Sequence, residues 1–132
     1  MKNYLLLFIL LGTVLMGCKD DDPVVETDPY QISMVVEKPV ADAVVNVNEP
    51  MDVKVNFTRG AEEVIHHVKI FVLDSSDNVV DTLLEEHAHV AASYTYEGTY
   101  TPTATGAFKL KVASHDMEDH HATPVFVNFT VN

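Results

Sequence analysis

The chain reads as an all-β protein, a two-sheet antiparallel sandwich of seven or eight strands. Three observations predict this. Short runs rich in Val, Ile, Phe and Tyr recur over residues 30–132, separated by Pro, Gly, Asn and Asp. Several of these runs alternate apolar with polar side chains at the period of two that marks a half-buried strand. No stretch of this region has a helical period. Strands in a single sheet would leave its apolar face wet, so two sheets are expected to pack face to face.

The first strand is expected over residues 31–37, closed by Pro39, and the second over 43–48, closed by Pro50. In the third, Met51, Val53, Val55 and Phe57 alternate with Asp52, Lys54 and Asn56, which gives one buried and one wet face. Residues 64–73 are almost continuously apolar, as a central strand should be. Asp74-Ser75-Ser76-Asp77-Asn78 is a turn, followed by a strand over 79–84 whose exit loop is expected in the facing sheet. Residues 91–101 carry Tyr94, Tyr96 and Tyr100 on one face with Gly98. Such a stripe reads first as core or cross-strand packing and only second as a carbohydrate platform. Phe108, Leu110 and Val112 alternate with Lys109 and Lys111, and Val125, Val127, Phe129 and Val131 close the chain.

Composition narrows the class of function. The 132 residues are 47% hydrophobic, too apolar for a disordered chain, and amount to one domain with a small extension. Twenty acidic side chains against eight basic ones give a formal net charge of −12, the wrong sign for a nucleic-acid partner. A single cysteine rules out an intramolecular disulfide and any CxxC motif.

That cysteine closes the leader. Lys2 supplies a positive start and residues 4–14 an apolar stretch too short for a stable transmembrane anchor, with a helix expected around residues 4–16. Leu15-Met16-Gly17-Cys18 resembles the bacterial lipobox, with Met16 a less usual occupant of its second position. The resemblance implies a lipoprotein signal peptide over residues 1–17, with Cys18 as the lipidated residue of the mature chain. Lys19-Asp20-Asp21-Asp22-Pro23 then resembles the acidic export signal of Bacteroidota-type surface lipoproteins. That implies an outer-membrane protein, lipid-anchored and exposed at the cell surface. By composition, residues 18–29 form an extended acidic linker.

The body, residues 30–132, has the roughly 100 residues of an immunoglobulin-type sandwich. Pro39-Val40-Ala41-Asp42-Ala43, and Gly106-Ala107-Phe108-Lys109-Leu110-Lys111-Val112 leading to Asp116, resemble bacterial Ig-like and cadherin-like modules. Where such modules often continue with a Gly-Asn turn, this chain has Met117-Glu118-Asp119-His120-His121. The resemblance implies an Ig-like fold in an extracellular setting and leaves the activity open.

The histidines are the unusual feature. They occur as His66-His67, His87-x-His89, His115 and His120-His121. Consecutive strands of a sandwich alternate direction, so these four groups are all expected at one pole. Imidazole suits zinc and copper, with carboxylates as supplementary ligands or as partners that orient the rings. Glu62, Glu63, Glu85, Glu86, Asp116, Glu118 and Asp119 share the pole, and Met117 adds a soft donor. Within a strand, His87 and His89 would point to the same side. His115 and His121 would face each other across a hairpin. His66, His67, His87, His89, His115, His120 and His121 are therefore the candidate metal ligands, for zinc or copper.

The leading functional expectation is a cell-surface lipoprotein that binds a transition metal through this cluster. The competing one is a non-catalytic adhesion or accessory module that binds a surface protein or glycan, its histidines incidental. An enzyme is not expected. The chain lacks HExxH, a Gly-rich phosphate loop and G-x-S-x-G, and a small sandwich with loop ligands offers no evident substrate pocket.

Overall fold

A computed structural model describes residues 31–59, 64–117 and 119–132. The leader, Cys18, the acidic linker, Glu62, Glu63 and Glu118 lie outside the described residues. Eight strands are present: β1 (Ile32–Lys38), β2 (Ala43–Val45), β3 (Met51–Arg59), β4 (Ile65–Asp74), β5 (Val79–Val90), β6 (Ser93–Tyr100), β7 (Gly106–His115) and β8 (Val125–Val131). No helix occurs among the described residues. The strands form two sheets, ordered β1-β3-β6 and β2-β8-β7-β4-β5. All pairings are antiparallel except the short parallel β2–β8 pair.

The alternation expected of the third strand is observed: Val53, Val55 and Phe57 are buried between the sheets while Asp52 and Thr58 are exposed. Val68, Ile70 and Val72 of β4, Leu110 and Val112 of β7, and Phe129 and Val131 of β8 meet them from the other sheet. Tyr100 packs edge-on to Phe129 and Phe57 edge-on to Tyr94. Tyr94 and Tyr96 also lie against this core, so the tyrosine stripe serves packing.

One expectation is corrected. The strand after the Asp74–Asn78 turn does not deliver its far end to the facing sheet. β5 stays paired to β4 from Val79 to Val90 and forms the edge of the five-stranded sheet. The turn explains the return: the Asp74 carboxylate accepts hydrogen bonds from the backbone N–H of Ser76 and Asn78 at 2.8 and 2.9 Å. Lys69 Nζ then pairs with Glu85 at 3.0 Å, and the Tyr94 hydroxyl donates to Glu86 at 2.6 Å. These cross-links hold the polar end of β5 in place, and that end carries His87 and His89.

Candidate metal centre

Three elements bring the histidines together. His66 and His67 open β4, His87 and His89 close β5, and His115 ends β7. His67 stands opposite His87 on one side and His115 on the other, and His115 forms an isolated bridge with His121. The buried Ser114 hydroxyl donates to the His67 carbonyl at 2.7 Å, tying β7 to β4 behind the row. All seven histidines thus lie at one pole, but they do not share one point.

His66, His87 and His89 form the tightest group. One ring nitrogen from each can be chosen so that all three lie within 4.8 Å of one another. His66 Nδ1 is 3.3 Å from His87 Nε2. The His66–His89 and His87–His89 ring centroids are 4.5 and 4.6 Å apart. At bonds of ~2.0–2.1 Å and tetrahedral angles, neighbouring nitrogen ligands of zinc stand roughly 3.3 Å apart. The His66–His87 pair already has that separation. His89 closes the triangle by side-chain rotation, which its exposure permits.

The triangle depends on an irregularity in the ladder. Ile65 pairs with Val90 and His67 with His87, so one more residue lies between the partners on β5 than on β4. His89, at φ 51°, occupies the left-handed region inside this bulge. Regular strand alternation was the ground for expecting His87 and His89 on one side; here the bulge sets His89 instead.

The other histidines form a row. The His67 ring stacks between His87 and His115, at centroid distances of 4.4 and 4.2 Å and interplanar angles of 13° and 8°. His121 follows 5.2 Å beyond His115. His120 is turned onto Asp116, with Nδ1 2.9 Å from Oδ2, and its backbone N–H donates to the same carboxylate. Met117 is exposed. Glu85 and Glu86 are engaged by Lys69 and Tyr94, which among the described residues leaves Asp116 and Asp119 as the carboxylates against the rings.

Electrostatics favour the neutral, ligating form of the two β4 histidines. Partial burial, then the adjacent His89 and His87 rings, hold His66 below its ordinary pKa; the Asp116 carboxylate acts in the opposite sense. His67 is lowered first by burial and then by His115 and His87. Burial and the Glu86 carboxylate push the Tyr94 hydroxyl up to about 12, so it donates to Glu86 throughout the ordinary pH range.

Neither a family model nor a curated protein sequence matches the chain. Solved structures do. The CARDB domain of a Pyrococcus furiosus protein, solved in complex with di-metal ions, is similar at TM-score 0.55 and 13% identity, over 77% of this chain and 88% of that one. A fibronectin(III)-like module of CbhA from Clostridium thermocellum matches at TM-score 0.45 and 19% identity, over 76% and 96%. A β-glucosidase from Listeria innocua, in complex with isofagomine, matches at TM-score 0.53 and 12% identity, over 76% of this chain but only 16% of its own. At these identities the likeness concerns the fold alone: the matches to the CARDB domain and to the β-glucosidase region, together with the strand order, establish a small immunoglobulin-like β-sandwich.

Proposed function

We propose that this chain is a lipid-anchored cell-surface protein of the Bacteroidota type whose immunoglobulin-like domain binds a transition metal ion, zinc or copper(II), through His66, His87 and His89. The observation that carries the reading is the convergence of three imidazole nitrogens within 4.8 Å. Support comes also from the 3.3 Å separation of His66 Nδ1 and His87 Nε2 and from the lowered pKa of His66, since only neutral imidazole ligates. A net charge of −12 raises the concentration of cations around the domain. Leu15-Met16-Gly17-Cys18 and the following Asp20-Asp21-Asp22 support the anchor and the surface location.

The role is binding, not catalysis. Three protein ligands leave a coordination position for water or an outside donor, as catalytic zinc sites also do, but the triad lies on an open sheet edge with His87 and His89 exposed, where a substrate would not be enclosed. Calorimetric titration of the full chain with zinc and with copper(II) at neutral pH tests the reading. Binding is expected in the parent chain and a large loss in His66→Ala/His89→Ala. Absence of binding, or binding that this variant does not weaken, overturns it and leaves a plain protein- or glycan-binding module.

A further inference from the structure

The outward face of the five-stranded sheet carries chemistry that the histidine pole does not use. Lys111 of β7 stands between Phe71 of β4 and Phe126 of β8, its partners on the two neighbouring strands. Phe126 is 50% exposed. The next outward pair is Lys109 and Asn128, with Lys109 Nζ 6.0 Å from the centroid of the Phe126 ring. These side chains, with Asp77 of the β4–β5 turn, line an open groove of about 400 Å³, a volume that small-ligand sites commonly have. Lys69 projects from the same face, so three of the eight basic side chains of a protein of net charge −12 lie together. Lys38, Lys54, Lys69 and Lys109 each hold a carboxylate. Lys111 holds none among the described residues, although it is half-buried between two rings. An ammonium group without a counter-charge in such surroundings favours an anion from outside.

We propose that this groove binds an acidic glycan, a chain of uronate sugars, independently of the metal site. The face of a phenyl ring is partially negative and attracts the C–H bonds on the flat side of a pyranose; the exposed Phe126 supplies that face. Lys111 donates a charge-assisted hydrogen bond to the sugar carboxylate. Asn128 and Asp77, both exposed, offer donors and acceptors to the hydroxyls. The negative charge of Asp77 is offset by its ion pair with Lys109, so it does not oppose an anion beside Lys111. The groove is open along the sheet, which suits a stretch of polymer. A peptide strand would instead seek an unpaired sheet edge, and β4, β7 and β8 each have a strand on both sides.

The test is calorimetric titration of the metal-free full chain with tetramers of galacturonate, mannuronate and guluronate. Maltotetraose serves as the uncharged counterpart and tetraglutamate as an acidic peptide. At least one uronate tetramer should bind, about tenfold or more tighter than either control. Lys111→Gln and Phe126→Ala should each weaken that binding about tenfold, and Lys111→Arg should retain it. His66→Ala/His89→Ala should leave it unchanged, which separates this site from the triad. Phe126→Leu, which keeps apolar volume without the flat ring, is the second variant if Phe126→Ala fails to fold, circular dichroism serving as the check. The inference is overturned if no uronate tetramer binds, or if Lys111→Gln or the Phe126 variant leaves the affinity undiminished. Equal binding of maltotetraose overturns the role of the charge, and equal binding of tetraglutamate overturns the glycan.

Discussion

Substituting His87 by Ala separates metal binding from folding more cleanly than any other single change. The His87 ring lies 3.3 Å from His66 through nitrogen, 4.6 Å from His89 and 4.4 Å from His67 between centroids. It is also exposed, on the edge strand of its sheet. Surface substitutions of this kind move stability by no more than about 0.5 kcal/mol. The metal-free melting temperature should therefore hardly change. Metal at 100 times its dissociation constant stabilises a native state by about 2.7 kcal/mol. In a domain of this size that corresponds to a rise of roughly 10–20 °C, at about 4–8 °C per kcal/mol. Losing a residue that merely supports a metal ligand weakens binding by about 10–100-fold; losing a ligand should cost at least the upper figure. At the same metal concentration, a 100-fold weaker variant keeps roughly 0.4 kcal/mol of stabilisation. Thermal melts of parent and variant with and without zinc measure this directly. His120→Ala is the control, since His120 is committed to Asp116 and should leave the metal-induced rise intact. A full rise retained by His87→Ala, or no rise in the parent, refutes the reasoning.

Three other outcomes follow from the same structure. The folded state holds His66 and His67 below their ordinary pKa, so just below pH 6.5 the unfolded chain binds more protons, and the metal-free domain loses stability as pH falls through that window; urea midpoints at pH 7.5, 6.5 and 5.5 should decline, and less so in His66→Gln/His67→Gln. Phe57→Ala empties a fully buried site between the sheets and should cost about 3–5 kcal/mol, a large part of a domain's total stability, read as a fall in denaturant midpoint at constant slope. Cys18→Ala should leave the precursor unlipidated and release the protein from membranes; unchanged fractionation and gel mobility would count against the anchor.

Where burial dictates side-chain placement, the fold was legible in the sequence. Val53, Val55 and Phe57 must face a core, and their alternation with charged neighbours sets the faces of β3. The grouping of histidines at one pole followed from strand direction alone. The end of β5 was not legible. Glu85-Glu86-His87-Ala88-His89 has no continuous apolar face, so it reads as a loop, and pairing partners along an edge strand polar on both faces are weakly specified. What keeps this segment in the sheet is a set of long-range bonds, Lys69 to Glu85 and Tyr94 to Glu86, that local pattern cannot show. The division of the histidines into a triad and a row was hidden for the same reason, because it depends on the bulge.

That bulge is the step that turns a pattern into a site. In β4, His66 shares the face of the buried Val68, Ile70 and Val72, whereas His67 shares the face of Lys69 and Phe71. Cross-strand partners share a face, so a regular ladder would set the neighbours of His66 and those of His67 on opposite sides of the sheet. His87 pairs with His67, yet it also comes to 3.3 Å from His66. The extra residue on β5 reconciles the two, because it turns the strand end and sets the His89 ring 4.5 Å from His66. The local cost is a non-glycine residue at φ 51°, of order 1–3 kcal/mol, which persists only where the surroundings impose it. Those surroundings are the paired stretch of β5 on one side and, on the other, Val90, which packs against the core opposite Ile65. A polar edge strand with no other task could end at Leu84. This one continues through two carboxylates and two imidazoles, and it accepts a strained residue in doing so. The expense is intelligible if the rings it assembles bind something, and three imidazoles at this spacing would suit a transition metal.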